Sequence, residues 1–308
     1  MPSTTAHLGT SEKAPQQKNG FQLWIRKNKT GLLFILPAAV IFVLFLWLPI
    51  LKGFFYSFYH IDFVKGNTFV GFDNYKTALD DPILGKAIRN TLYYMGLCLV
   101  IGFAVPIVFA VIISELRRFQ GFVRVSAYLP NVIPVVVLYS VWRWIYDPVG
   151  PINATLSQTG HDQISFMTDS AWSMISLVFM ETWQQFGSAM LIYLAALLSI
   201  PKDWYEAAQI DGAGVWRRVW HIMLPSIRGL IGLMLILQLI GTSQAYQSQL
   251  AMLDGGPNFT TTTYALLIVK YATTQLNMGV ASALGVLMFL VLGVLAIIQY
   301  KLNGRGGN

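Results

Sequence analysis

"EAAQIDGAGVWRRVWHIMLP", residues 206–225, is a charged, glycine-punctuated stretch set between two long apolar runs, 171–199 and 229–252. Its reading decides the fold. Pro201 suits a helix start, and Asp203 with Glu206 has the spacing of a capping box. "WYEAAQI" supplies good helix formers, and Gly212 permits the positive φ that ends a helix. A second helix, "GVWRRVWHIM", puts Val215, Trp216, Val219, Trp220 and Met223 on apolar positions and turns Arg217 and Arg218 toward water or a partner. Leu224-Pro225 stops it before the next apolar run. The expected product is a rigid amphipathic elbow with exposed aromatics; lying on the inner leaflet is one use for such an elbow.

The apolar runs on either side belong to a pattern that fills the chain. Hydrophobic residues make up 55% and charged residues 11%, with a mean hydropathy of +0.55, against roughly 25% charged in an average soluble domain. About 20 apolar residues cross ~30 Å of hydrocarbon as a helix. Runs of that length are expected near 31–51, 91–114, 126–146, 171–199, 229–252 and 279–300, giving an all-α membrane protein of six transmembrane helices. A polar start and an overlong first run argue against a cleaved signal peptide. Cys98 is the single cysteine, which excludes an internal disulfide and a cysteine-based metal cluster.

The net charge of +7 is arranged as a membrane orientation rather than as a nucleic-acid footprint. Lys13, Lys18, Arg26, Lys27 and Lys29 precede the first run; Arg117, Arg118 and Arg124 follow the second; Lys202, Arg217, Arg218 and Arg228 follow the fourth; Lys301 and Arg305 follow the sixth. These ends are placed in the cytoplasm, with tails 1–29 and 303–308 and the loop 200–228 inside. Segments 52–90, 147–170 and 253–278 are placed outside, rich in turn formers such as "DPVGPIN" and "DGGPNF". Asn153 and Asn258 begin chance-level glycosylation sequons.

The elbow has a counterpart in a known family. Glu206, Ala207, Ala208, Asp211, Gly212, Ile222, Leu224 and Pro225 resemble, position by position, the "EAA" loop of binding-protein-dependent ABC importer permeases. "FVGFDNY", "RNTLYY", "LPNVIP", "WRWIYDPVGPIN", "LAALLSIPKDWYEAA" and "LDGGPNFTTTT" resemble, in order, signatures of carbohydrate-uptake permeases of the maltose-transporter type, over about 31–302. The Gly255-Gly256-Pro257 turn resembles the first member of the permease pair. Leu253 and Tyr246-Gln247 depart from the common pattern. The resemblance implies a subunit of the bacterial plasma (inner) membrane whose elbow couples it to two ATP-binding subunits. It also implies a second homologous permease as heterodimer partner, an extracytoplasmic sugar-binding protein, lipid around the spans, and no nucleic acid. With no G-x-x-x-x-G-K-[ST] loop in the chain, ATP and magnesium are expected on the separate ATPase subunits, and no cofactor or metal on this one.

Polar groups inside apolar spans are costly and usually face a cavity or protein. Glu181, Gln184, Gln185 and Ser188 fall at i, i+3, i+4 and i+7, one helical face. Gln238, Thr242, Ala245 and Gln249 repeat the pattern in the next run, with Gln244, Tyr246 and Gln247 beyond, and Asn131 sits between Pro130 and Pro134. Amides, hydroxyls and aromatics without Lys or Arg suit neutral hydroxylated rings. In the resembled family the sugar site draws on the matching spans, which makes Asn131, Glu181, Gln184, Gln185, Ser188, Gln238, Thr242 and Gln249 the candidate substrate residues. Interhelical glue is the competing use for the same side chains. Arg143, between Trp142 and Trp144, reads as an interfacial anchor. An ion-coupled carrier with Glu181 as coupling group is the rival function. An intramembrane enzyme has no support, since His7, His60, His161 and His221 lie outside the runs and form no ligand pair.

Overall fold

The computed structural model describes residues 20–303 apart from Phe63 and Arg117. Of the expected tails, 1–29 and 303–308, residues 1–19 and 304–308, with Lys13, Lys18 and Arg305, lie outside the described residues. The chain divides into two compact units, 1–53 and 54–308, and each is taken by itself.

The first unit is built on one helix. The helix begins at Gly20, earlier than the expected 31, and its apolar part, here α1 (Lys27–Tyr56), is 30 residues long with a hydropathy of 2.7. Pro37 is accommodated within it, and a π turn occupies Val43–Trp47. Its large apolar side chains, from Leu33 to Phe55, are exposed, as a lipid-facing helix requires.

In the second unit, the segment expected as a turn region is built more fully than that. Strands β1 (Tyr59–His60) and β2 (Thr68–Phe69) pair antiparallel, and α2 (Asp73–Leu79) follows. "FVGFDNY" is the end of this hairpin, a turn at Gly71 with φ +58°, and the start of α2. The buried Asn74 amide donates to the carbonyls of Ser57 (2.9 Å) and Tyr59 (3.0 Å), and the rings of Phe58, Phe72 and Tyr75 cluster beside it.

Helix α3 (Leu84–Glu115) is 32 residues long with hydropathy 2.9 and starts earlier than the expected 91. It contains a π turn at Cys98–Gly102. The expected third span, 126–146, is two helices: α4 (Gln120–Val132) and α5 (Val135–Ile145) meet at 97°. The cause is local. Pro134 lacks an N–H and pushes Ile133 out of the helical region, to φ −68°, ψ 127°. Next comes α6 (Pro151–Gln158), where the buried Asn153 side chain bonds both backbone groups of Ile164, so the amide of the first sequon is enclosed.

Helix α7 (Ser173–Leu198) leads at 71° into α8 (Lys202–Ile210); α9 (Val215–Ser226) leads at 69° into α10 (Arg228–Ser243). The expected single span 229–252 is interrupted at 244–246, and α11 (Gln247–Leu253) is a separate helix. Helices α12 (Tyr264–Thr273) and α13 (Met278–Asn303) complete the chain. By length and composition α1 and α3 can each cross a membrane, and the three bent pairs raise the number to five among the described residues; α13 adds a further apolar helix.

The core that positions the site lies between α3, α7 and α9, where Ala110, Ile113, Met190, Tyr193, Leu194, Leu197, Val219 and Met223 are buried together. Helix α7 crosses α4 at Gly187 so closely that a Cβ there would stand 2.1 Å from the Ala127 carbonyl oxygen. Lipid gives apolar side chains little reason to associate, so small residues that let backbones approach take over that task.

Candidate functional site

A cavity of about 540 Å³ opens between α3, α7 and α10, within the range of about 300–1,000 Å³ typical of small-molecule sites. Five of the eight candidate substrate residues line it: Glu181, Gln185, Ser188, Gln238 and Thr242. Gln244 and Tyr246 from the break after α10, Gln247 from the start of α11, Thr182 from α7, and Tyr94, Cys98 and Gly102 from α3 complete its polar side. Lys and Arg are absent from the lining.

The side chains on this wall are not equally free. The Glu181 carboxylate accepts from the Tyr94 hydroxyl on one oxygen and from the Ser248 hydroxyl on the other, which pins α3, α7 and α11 together. Gln238 donates across at 2.9 Å to the Cys98 carbonyl, which also accepts the Phe103 N–H within the π turn of α3. Thr242 donates back to Gln238 O at 2.8 Å, within its own helix. Gln185 is different: its exposed amide has no hydrogen-bond partner among the described residues.

Three candidates fall off the wall. Asn131 donates to Ser188 Oγ at 3.0 Å and acts from behind it, across the α4–α7 crossing. Gln184, half-buried on α7, is outside the lining. Gln249 is fully buried in α11, its Oε1 3.2 Å from the Ser248 hydroxyl and its Nε2 without a partner among the described residues. The periodicity that grouped it with Gln238 and Thr242 assumes one continuous helix, and the break at 244–246 ends that register. Arg143, exposed, donates to the carbonyls of Ala251 (2.6 Å) and Met252 (3.3 Å), capping the C-terminal end of α11.

The elbow 200–228 is two helices turned at a glycine. Gly212 has φ +70°. Its N–H donates to Gln209 O at 3.0 Å, and the Ala213 N–H donates to Ala208 O at 2.8 Å, the paired bonds of a Schellman stop. The Asp203/Glu206 capping box does not form. Pro201 takes the cap position without a side-chain bond, and Asp203 falls in the first turn, where its charge complements the helix N-terminus. Glu206, Ala207, Asp211, Gly212 and Pro225 are exposed; Ala208, Ile222 and Leu224 are half-buried. Trp204, Ile210, Trp216 and Trp220 add exposed apolar surface around them. Of the two expected environments, water or a partner, Arg218 takes a partner within the chain, pairing with Glu115 at 2.7 Å, while Arg217 stays exposed. Burial pushes the Tyr205 hydroxyl up from its ordinary pKa, the Glu115 carboxylate beside it adds to the rise, and Arg218 offsets part of it.

A family model described as "Binding-protein-dependent transport system inner membrane component" matches residues 102–306, which span the cavity wall from Gly102, the elbow and the last helix. The chain belongs to this family. This permease is 29% identical over 300 residues, 96% of its own chain and 98% of the relative, to the probable starch degradation products transport system permease protein AmyD of Thermoanaerobacterium thermosulfurigenes. Its fold matches a crystal structure of a bacterial ABC transporter involved in import of the acidic polysaccharide alginate. There the TM-score is 0.83 and the identity 26%, over 93% of this chain and 100% of the other. A bacterial alginate ABC transporter in complex with alginate pentasaccharide-bound periplasmic protein matches equally, with TM-score 0.83 and 26% identity over 92% and 98%. The permease is thus an inner-membrane transport component of an ABC importer and not its enzyme.

Sequence reasoning missed Tyr94, Cys98, Gly102 and Ser248 as parts of the permease's cavity and its supports. Tyr94 and Cys98 carried a usable signal: a tyrosine and the lone cysteine one helical turn apart on one face of an apolar run. The π turn at Cys98–Gly102 carried none.

Proposed function

We propose that the permease imports a neutral saccharide through the cavity between α3, α7 and α10. Six spans, about 31–51, 91–114, 126–146, 171–199, 229–252 and 279–300, with bends as described, form its membrane domain, and both termini face the cytoplasm. It pairs with a second, homologous permease. An extracytoplasmic binding protein delivers the saccharide, and two ATP-binding subunits, holding ATP and magnesium, dock on the elbow 200–228. Glu206, Ala207, Ala208, Asp211, Gly212, Ile222, Leu224 and Pro225 form the docking loop. Gln185, Ser188 and Thr242, with Gln244 and Gln247, offer hydrogen bonds to sugar hydroxyls. Glu181 and Gln238 hold the wall in shape, and Asn131, Gln184 and Gln249 support it.

The observation that carries this reading is the free Gln185 amide on a cavity wall built of amides and hydroxyls and lacking a cation. Amides donate and accept at once, which matches the paired donor and acceptor of a sugar hydroxyl. The similarity of AmyD and of the alginate transporter supports the saccharide class; the cation-free lining, whose one carboxylate, Glu181, is held by Tyr94 and Ser248, supports a neutral member of it. Co-purification of the assembled transporter with its binding protein, followed by mass spectrometry of the bound small molecule, tests the proposal. A neutral oligosaccharide is expected. A phosphorylated or polyanionic ligand would remove the substrate assignment.

A further inference from the structure

The described residues of the permease contain two ion pairs, and one of them joins the elbow to a cavity-lining helix. Glu115 is the last residue of α3, a position where the helix dipole disfavours a carboxylate. Arg218 Nη2 meets it at 2.7 Å, with side-chain exposures of 13% for Arg218 and 26% for Glu115. Removing one partner from a pair this enclosed leaves the other charge without compensation, so the pair resists separation. The half-buried Tyr205 of α8 lies beside both charges. Val219 and Met223 of α9 pack on Ala110 and Ile113 of α3 just behind it. The end of α3 is closed independently by Gln120, whose amide donates to Ile113 O (3.0 Å) and to Leu116 O.

The other end of the same helix reaches the cavity. Helix α3 carries Tyr94, which holds Glu181, and the π turn whose Cys98 carbonyl holds Gln238. We propose that the Glu115–Arg218 ion pair is the strut through which displacement of the elbow moves α3 and so reshapes the cavity, with both residues acting as positioning residues. This rests on the reading of 200–228 as the ATPase-docking loop. A π turn within the lever is a local irregularity that can absorb or pass on a shift in helix register.

The test uses the full assembly of both permeases and both ATPase subunits, with Gln185→Cys as a cavity reporter on a Cys98→Ala background. Maleimide labelling of that cysteine is timed with and without ATP and vanadate, alongside ATP hydrolysis and co-purification of the ATPase subunits. In the parent, nucleotide changes the labelling rate. In Glu115→Gln and in Arg218→Met the assembly still forms, but nucleotide binding no longer biases the cavity and the ratio of rates falls to about one. The exchanged pair, E115R with R218E, restores the ratio. Single variants with the parent's ratio, single variants that fail to assemble, or an exchanged pair that assembles without restoring the ratio would each overturn the strut. No nucleotide response in the parent itself would instead count against the docking-loop reading.

Discussion

Gly187→Ala should loosen the transport core by an amount that can be worked from its geometry. The added Cβ would stand 2.1 Å from Ala127 O, 2.7 Å from Ala127 C and 2.9 Å from Tyr128 Cα, all backbone atoms that cannot rotate away. Restoring ordinary contact parts α4 from α7 by about 1 Å, since close-packed interiors leave no room to absorb it otherwise. The neighbouring Asn131–Ser188 bond, now 3.0 Å, then lengthens to about 4 Å, past the hydrogen-bonding limit. Overpacking of this kind costs about 1–3 kcal/mol, and a lost interhelical hydrogen bond adds about 0.6 kcal/mol. The expected destabilisation is therefore about 2–4 kcal/mol. Reversible unfolding of the purified permease in mixed micelles measures it. Gly96→Ala, where a Cβ meets nothing within 4 Å, is the control and should shift stability by under about 1 kcal/mol. A Gly187→Ala protein as stable as the control would refute the tight crossing.

Gly212→Val should strain the elbow, because a β-branched residue at φ +70° costs about 1–2 kcal/mol; uptake per ATP hydrolysed should fall while the protein still inserts, and an unchanged ratio would sink the turn's mechanical role. Gln185→Leu should abolish or respecify saccharide-stimulated ATP hydrolysis while the basal rate and complex yield persist. Reduced yield with normal stimulation would instead make Gln185 interhelical glue and leave Thr242 and Gln244 as the contacts to examine. On a Cys98→Ala background, Gln158→Cys should react with an impermeant maleimide from outside and Arg217→Cys only after permeabilisation, with the reverse pattern overturning the orientation.

Much of this was legible in the sequence because the bilayer enforces a simple rule: backbone groups in hydrocarbon must be satisfied within a helix, so long apolar runs can be counted directly. Gly212 was legible for an equally local reason, a positive φ needed where one helix stops and the next begins. What failed was continuity. Pro134 marked the bend between α4 and α5, yet a proline alone does not say whether a helix kinks or turns through 97°. Gln244-Ala245-Tyr246 carries no proline or glycine, so the break that separates Gln249 from Gln238 left no trace in the residues. Gly187 reads as one more small residue in a span; its role exists only because Ala127, distant in sequence, lies against it. The Glu115–Arg218 pair was hidden in the same way, by a chain separation that no periodicity links.

The central claim, that this permease moves a saccharide at the expense of ATP, is tested most directly by reconstitution. The assembled transporter is placed in liposomes with ATP and magnesium sealed inside, the binding protein outside, and the co-purifying saccharide supplied as a radiolabelled probe. Uptake is expected to require both internal ATP and the binding protein and to be indifferent to an ionophore that collapses ion gradients. Uptake that proceeds without ATP and is abolished by the ionophore would contradict the account and return Glu181 to the part of a coupling group in an ion-driven carrier.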